Sequence, residues 1–201
     1  QTGATPGAYS FDLLAADVVA LLDALKIEQT DFVGISIGGM IGQAVALAAP
    51  QRIRKLVLAD TTCAYPPEAQ AAWPERIRQI EAGGLEPLVA PTLERWFTPA
   101  YRAAHPEVPA RIGNIIRATP VAGYLGCCHA IAALDFCARL KSLRMPAMVV
   151  VGDSDPGIPL PLAEALADAI PGARMAVIAG AAHLSNMEQA DAFSQLLLDF
   201  L

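Results

Sequence analysis

The order of apolar and polar positions predicts helices and strands in alternation over the first third of the chain. Ser10, a residue type favoured at helix N-caps, precedes apolar residues at helical spacing that reach Leu25. Two short apolar runs, residues 32–35 and Ile53–Ala59, flank a second helical stretch that stops at Pro50. Helix, strand, helix and strand in succession favour a parallel sheet covered by helices.

The middle of the chain follows a different pattern. Residues 62–139 contain nine prolines, which divide them into short helical pieces, and no strand-like run appears there. Strand-like runs return at residues 147–151 and Arg174–Ile178, and each is followed by a helical stretch. We therefore predict an α/β fold with a parallel sheet and an inserted helical cap. Residues 1–61 and 140–201 form its core, and the proline-rich middle forms the cap.

Composition excludes several classes of protein. Of the 201 residues, 54% are hydrophobic and 17% are charged, which is the opposite of a disordered chain. The formal net charge is −6 and no basic run is present, so we expect no nucleic-acid partner. No stretch of about 20 apolar residues occurs, so we expect no membrane partner.

The cysteines and glycines indicate neither a metal nor a cofactor. The four cysteines match neither a zinc-binding spacing nor a disulfide framework, so we expect reduced thiols in a cytoplasmic protein. No glycine-rich phosphate loop is present either, and the sequence implies no metal site and no cofactor. The cysteines are Cys63, Cys127, Cys128 and Cys137.

The sharpest local signal is a G-x-S-x-G pattern centred on Ser36. An apolar strand leads into it and a helix leads out, which is the setting of a nucleophile elbow. The turn is so tight that we expect a side chain at Gly34 or Gly38 to collide with it. The N–H of Ile37 opens the helix, where unpaired donors favour negative charge. Ser36 is therefore a candidate nucleophile and the Ile37 N–H a candidate oxyanion donor.

A serine nucleophile needs a general base, and three histidines are available. His105 and His129 lie in the helical middle segment, whereas His183 follows the last strand and a loop of small residues. A base at the carboxyl end of one strand is well placed to face a serine at the end of a neighbouring strand. Only His183 fits the chain order of serine, acid and histidine that accompanies this elbow.

Three aspartates compete to orient that histidine. Asp153 and Asp155 follow the strand-like run at residues 147–151, and Asp60 ends the run Ile53–Ala59. Each lies at the carboxyl end of a strand, where an acid can reach the imidazole. The residues alone leave all three open.

Longer stretches resemble one family. Residues 34–43 resemble the elbow of α/β-hydrolases of the 3-oxoadipate enol-lactonase group. Residues 96–99 and 123–128 resemble the cap of that group, and residues 182–189 resemble its histidine loop. The resemblance covers essentially the whole chain and implies the α/β-hydrolase fold. It also implies that the acid is Asp155, the second aspartate of a G-x-x-D stretch. The cap matches imply that Trp96 and Tyr124 line an apolar substrate pocket.

The chain departs from the family pattern at its start. In the family, four strands and a His-Gly-type turn, which supplies a second oxyanion N–H, precede the position of Gln1. We therefore expect this sequence to be part of a longer chain, or to pair with a separate N-terminal segment. Without that segment, residues 32–35 would form an exposed apolar sheet edge, which favours aggregation.

A second departure concerns charge. The family often carries a basic residue after its Cys-Cys segment, but residues 130–133 contain none. An anionic keto-acid substrate needs a cation nearby, and Arg95, Arg117 and Arg139 are candidate replacements.

The resemblance favours a serine hydrolase that cleaves a small-molecule ester or lactone. The expected substrate is 3-oxoadipate enol-lactone, in the catabolism of aromatic compounds. Two alternatives remain: a C–C bond hydrolase or cofactor-free perhydrolase with the same triad, and a non-catalytic ligand-binding protein of this fold. Dehalogenase and epoxide hydrolase chemistry is disfavoured because the elbow carries a serine rather than an aspartate.

Overall fold

In the computed structural model, which describes residues 3–201, a four-stranded parallel sheet lies at the centre of the fold. The strands are β1 (Thr30–Ile35), β2 (Ile53–Ala59), β3 (Ala147–Gly152) and β4 (Arg174–Ile178). Their spatial order equals their order in the sequence, and each adjacent pair is parallel. The predicted α/β fold class and all four strand-like runs are thereby confirmed.

Helices account for most of the remaining described residues. In chain order they are α1 (Phe11–Ala24), α2 (Ile37–Ala48), α3 (Pro67–Ala71), α4 (Trp73–Gly83), α5 (Glu86–Trp96), α6 (Pro99–Ala104), α7 (Glu107–Ala118), α8 (Val121–Ala132), α9 (Cys137–Leu140), α10 (Leu160–Ala169), α11 (Ser185–Glu188) and α12 (Ala190–Phe200). A short 3₁₀ turn, Pro50–Arg52, leads into β2.

Burial follows the position of each strand in the sheet. Every residue of β3 is buried, and most of β2 is buried too, because both strands have neighbours on either side. In β1, by contrast, Val33 keeps 41% of its surface exposed. Within residues 3–201, β1 pairs only with β2, so it forms an edge of the described sheet.

The two faces of the sheet are covered by different helices. Apolar residues of α1, α2, α9 and α10 pack with Leu56, Leu58 and Val149 on one face. On the other face, Phe193 and Phe200 of α12 pack against further residues of β2, β3 and β4. The alternating burial along the central strands gives two apolar layers, as a sheet with helices on both faces requires.

Local signals in the sequence set where α1 begins. The Ser10 side-chain oxygen accepts a hydrogen bond of 3.1 Å from the Leu13 backbone N–H, which satisfies one of the free donors of the first turn. The predicted N-cap is therefore confirmed.

Helices α3 to α8 lie between β2 and β3 in the chain, and α4, α5, α7 and α8 share an apolar cluster. Its buried members include Ile77 and Ile80 of α4, Val89 of α5, Ile116 of α7 and Cys128 of α8. This cluster is separate from the two layers against the sheet. We call α3 to α8 the cap helices.

The cysteine expectation is wrong for one pair. Cys63 and Cys137 form a disulfide, while Cys127 and Cys128 are free. The bonded cysteines are 74 positions apart in the sequence. Cys63 comes just before the cap helices and Cys137 just after them, so the chain returns to its starting point and brings two distant thiols together. Spacing along the sequence gives no sign of such a pair.

No single helix within residues 3–201 is long and apolar enough to cross a membrane. Helices α7 and α8 meet the length and composition criteria only when taken together, and they are bent by 96° relative to each other.

Candidate active site

Ser36 lies in a strained turn between β1 and α2. Its φ is +54°, a left-handed value that side-chain-bearing residues rarely adopt. A Cβ atom on Gly34 would overlap the Gly38 carbonyl group, so this position requires glycine. At Gly38 a Cβ atom would meet nothing within 4 Å, so the expected collision there is wrong. The next glycine, Gly39, is the crowded one, because its Cβ would lie 2.6 Å from the Thr61 methyl carbon.

The structure brings Ser36, His183 and Asp155 into one hydrogen-bonded chain. His183 Nε2 lies 2.8 Å from Ser36 Oγ, and His183 Nδ1 lies 2.7 Å from Asp155 Oδ2. His183 and Asp155 are both buried. With Nδ1 protonated and donating to Asp155, Nε2 is free to accept the serine proton, which is the arrangement that activates a serine.

Backbone donors hold Asp155 in place. Its Oδ1 accepts hydrogen bonds from the N–H groups of Gly157 at 2.7 Å and Ile158 at 3.1 Å, which leaves Oδ2 for His183. Asp153 has a different set of partners, because its Oδ1 accepts from Ser154 Oγ and the Gly180 N–H. The local sequence did not separate these two aspartates, but the structure does.

Asp60 is the third predicted acid, and it lies beside the hydrogen-bonded chain of Ser36, His183 and Asp155 rather than in it. Its carboxylate is fully buried and accepts hydrogen bonds from the Gly152 N–H at 2.9 Å and Ser185 Oγ at 2.5 Å. Burial raises the pKa of Asp60 to about 6, although both hydrogen bonds favour the charged form. Because Ser185 comes two residues after His183, Asp60 ties β2 to the histidine loop.

The histidine loop is also bound to the cap. Glu188 accepts hydrogen bonds from the Thr98 N–H at 2.8 Å and the Thr98 hydroxyl at 2.7 Å. The Leu184 N–H donates to the Trp96 carbonyl at 3.1 Å, and the Trp96 ring centroid lies 5.9 Å from that of His183. These contacts hold His183 from the cap side. Sequence reasoning missed Glu188, and the only signal was its place in the resembled histidine loop.

The other two histidines lie outside this cluster. His105 and His129 are both exposed, and His105 Nδ1 lies 3.8 Å from a Glu107 carboxylate oxygen. Neither lines the cavity in front of Ser36.

A cavity of about 750 Å³ opens in front of Ser36. Both predicted substrate-binding residues, Trp96 and Tyr124, line it, and both also pack against the cap cluster. The cavity wall contains further residues that sequence reasoning missed, among them Met40, Tyr65, Trp73, Arg76, Leu88 and Ile131. Most of these are apolar, as is usual for a site that binds a small organic molecule.

The three candidate cations are placed differently. Arg95 lines the cavity. Arg117 is outside it and pairs with Glu86 at 2.8 Å, and Arg139 lies over the Phe136 ring. The arginine that sequence reasoning missed is Arg76, which lines the cavity three residues after Trp73, a spacing that places two side chains on one helix face.

The Ile37 N–H begins α2 next to Ser36. Among residues 3–201 it donates no hydrogen bond, whereas the N–H groups of Gly39 and Met40 donate to the Ser36 carbonyl. A free N–H at the start of a helix favours negative charge. The described residues contain no group of three or more potential metal ligands.

The fold and this constellation define a member of the α/β-hydrolase family. The family model described as alpha/beta hydrolase fold matches residues 1–190, so the chain belongs to that family. Among its relatives, 3-oxoadipate enol-lactonase 2 of Acinetobacter baylyi is 36% identical over 188 residues, which are 94% of this chain and 69% of the relative. The resemblance to that enzyme group is thereby confirmed.

Solved structures agree with this assignment. The enol-lactonase from Burkholderia xenovorans superposes with a TM-score of 0.93 at 35% identity, over 98% of this chain and 75% of that chain. A hydrolase from Pseudomonas aeruginosa gives a TM-score of 0.93 at 36% identity, over 98% of this chain and 74% of that chain. These similarities support hydrolase activity.

Proposed function

We propose that the protein is a serine hydrolase of esters or lactones. We take 3-oxoadipate enol-lactone, in the catabolism of aromatic compounds, as its first candidate substrate. The observation that carries the proposal is the Ser36–His183–Asp155 chain, with contacts of 2.8 and 2.7 Å, at the wall of an apolar cavity. The identity to an enol-lactonase supports the choice of substrate class.

In the first half of the reaction, Ser36 Oγ attacks the substrate carbonyl carbon while His183 Nε2 takes the hydroxyl proton. Asp155 stabilises the imidazolium and keeps it oriented. The carbonyl oxygen becomes an oxyanion, which the Ile37 N–H stabilises. When the tetrahedral intermediate collapses, the ester C–O bond breaks, and His183 returns the proton to the leaving oxygen.

In the second half, a water molecule replaces the leaving group. His183 takes a proton from the water, the hydroxide attacks the acyl carbon, and collapse of the second intermediate returns the proton to Ser36. For an enol-lactone the leaving group is an enol that stays attached to the acyl chain. After this enol tautomerises to the ketone, the net reaction is lactone plus water to an open keto-acid. Trp96 and Tyr124 form part of the cavity wall around the acyl chain.

The first prediction tests the nucleophile. Ser36→Ala removes the attacking oxygen, and because triad members act as a unit, hydrolysis of the enol-lactone and of a nitrophenyl ester should fall by about 10⁴-fold or more. Ser142→Ala, at an exposed serine outside the cavity, is the matched control and should retain full turnover. A Ser36→Ala protein that is folded and keeps a tenth or more of the activity contradicts the proposal.

We extend the proposal to a cytoplasmic location. The free thiols of Cys127 and Cys128 support this location. Because cytosolic proteins seldom keep a disulfide, the proposal expects Cys63 and Cys137 to be reduced inside the cell, and finding them bonded there contradicts it. Cell fractionation followed by thiol labelling before and after reduction measures both the compartment and the state of these two cysteines.

A further inference from the structure

Three hydroxyl groups line the cavity, those of Ser36, Tyr65 and Tyr124, and within residues 3–201 only that of Tyr65 lacks a hydrogen-bond partner. Ser36 Oγ lies 2.8 Å from His183 Nε2, and Tyr124 Oη accepts a hydrogen bond at 2.9 Å from Arg76. The Tyr65 oxygen is not one of the enclosed, unbonded polar atoms of the described residues, so it keeps surface that a ligand can reach. Because tyrosine hydroxyls away from bulk water usually have a partner, we expect a ligand to supply this one.

The backbone on the N-terminal side of Tyr65 is held by the segment that leaves the cap. Tyr65 lies between β2 and α3, where the chain passes from the sheet to the cap helices. The Phe136 N–H donates to the Cys63 carbonyl at 2.8 Å. Next along the chain, Ala64 pairs with Asp135 in an isolated antiparallel bridge. The position of Tyr65 is therefore fixed by pairing of the backbone rather than by a free loop.

The ring of Tyr65 is fixed as well. It packs against the apolar cluster on one face of the sheet, and its centroid lies 6.4 Å from that of Trp73. Nearer to β2, the Thr61 hydroxyl donates to the Ser36 carbonyl at 2.8 Å, so the same segment is bonded to the nucleophile elbow. A hydroxyl group on a side chain that is already ordered loses little freedom when a ligand binds, which favours its use in recognition.

The Tyr65 hydroxyl is a neutral donor at neutral pH. Burial raises the pKa of Tyr65 to about 12. The nearby charge of Asp155 acts in the same direction, whereas Arg95 and Arg76 oppose it. The phenol therefore keeps its proton and can donate it in a hydrogen bond to a substrate oxygen.

We propose that Tyr65 is a specificity-determining residue whose hydroxyl donates a hydrogen bond to a ketone oxygen of the substrate. An ester or lactone that carries such a ketone, in addition to the carbonyl group that Ser36 attacks, is then preferred to its plain alkyl counterpart. The inference rests on the proposed hydrolase function of the same cavity. A ketone oxygen only accepts, so one O–H satisfies it, and it brings no charge into a wall that also contains Met40, Leu88 and Ile131.

The experiment uses two pairs of substrates that differ only by a ketone oxygen. The nitrophenyl esters of levulinic acid and pentanoic acid place the difference on the acyl side. Acetonyl butanoate and propyl butanoate place it on the alcohol side. The measured quantity is the ratio of kcat/KM for the ketone substrate to kcat/KM for the alkyl one, after subtraction of uncatalysed hydrolysis.

Tyr65→Phe removes only the hydroxyl oxygen, which has no partner in the described residues, and keeps the packing of the ring. We expect it to lower the ratio by about 3- to 10-fold in one pair at least, mainly through KM for the ketone substrate. The pair that responds shows which side of the ester faces Tyr65. Ratios equal to those of the wild type in both pairs overturn the inference.

Tyr9→Phe is the matched control. Tyr9 Oη donates to the Thr5 carbonyl at 2.7 Å, and Tyr9 does not line the cavity, so the same loss of one oxygen should leave both ratios unchanged. If Tyr9→Phe lowers the ratios as much as Tyr65→Phe does, the effect does not come from a contact in the cavity and the inference is wrong.

A binding measurement distinguishes failure of this contact from failure of the hydrolase proposal. Methyl levulinate is titrated calorimetrically into Ser36→Ala and into Ser36→Ala combined with Tyr65→Phe. An affinity at least about 3-fold weaker in the double variant supports the contact even if no ester is hydrolysed. Equal affinities, or no binding to Ser36→Ala, overturn it, whatever the wild-type protein hydrolyses.

Discussion

At the scale of single residues, the elbow contains two glycines with unlike surroundings. A side chain at Gly34 would overlap backbone atoms of Gly38, and backbone cannot move aside as a flexible side chain can. Gly38, the other glycine of the motif, faces open space. Of the two glycines that frame Ser36, only Gly34 is therefore at a position where an added side chain would clash.

This difference predicts opposite results for two alanine substitutions. Gly34→Ala should lower the free energy of unfolding by about 1–3 kcal/mol or more, as at other overpacked positions, or prevent folding. Gly38→Ala replaces glycine in a helix without a clash, so it should change the unfolding free energy by no more than about 1 kcal/mol, in the stabilising direction. Chemical denaturation of the two variants beside the wild type measures both values. Equal destabilisation by Gly34→Ala and Gly38→Ala would contradict the difference between their surroundings.

Asp60 makes the stability of the protein depend on pH. Its pKa in the folded protein, about 6, lies above the value of about 3.9 expected in an unfolded chain. The folded state therefore binds the proton more tightly, and the contribution of Asp60 to stability is fully present below about pH 4. That contribution is lost as the pH rises through about 6.

Asp60→Asn, which cannot titrate, isolates this contribution. We compare the unfolding free energy of the wild type with that of Asp60→Asn. As the pH rises from about 4 to 6.5, the wild-type value minus the variant value should decrease by up to about 3 kcal/mol. Denaturation curves at several pH values give the difference directly. Asp153→Asn, at an exposed aspartate on the same edge of the sheet, controls for the loss of one carboxylate. If the unfolding free energies of the wild type and Asp60→Asn change with pH in parallel, the pKa of Asp60 is not raised.

At the scale of elements, the sequence predicts the core well because its signals there are local. The apolar run at residues 147–151 became β3, which ends one residue later, and the helical stretch predicted after it became α10. Period, caps and prolines act within a few positions, so they can be interpreted without knowledge of the rest of the fold. The elbow motif at Ser36 is also a local signal, because its residues are consecutive in the sequence.

What the sequence did not predict depends on contacts between distant elements. Arg76 reaches the cavity because α4 packs on α8, and nothing near Arg76 in the sequence indicates this. The choice of Asp155 over Asp153 likewise depends on which carboxylate the loop turns toward His183. Both aspartates follow the same strand, so local pattern cannot separate them, and only the resemblance to a family favoured one.

At the scale of the whole molecule, the cap is held to the sheet core beside His183. Glu188 accepts hydrogen bonds from Thr98, and the Leu184 N–H donates to the Trp96 carbonyl, so the helices that form the cavity wall also support the loop that contains His183. The Cys63–Cys137 bond joins the two ends of the segment that contains the cap helices. In a chain-entropy account, closing a loop of this length stabilises the folded state by about 4.5 kcal/mol.

The same bond turns the segment from Cys63 to Cys137 into a covalent ring. One peptide cut inside the ring therefore cannot release a fragment. A protease site inserted at Gly84, in the turn between α4 and α5, would divide the chain into two pieces that each retain one of the bonded cysteines. After cleavage we expect a single full-size band on a gel without reductant and two smaller bands with it. Two bands without reductant would show that the ring is open.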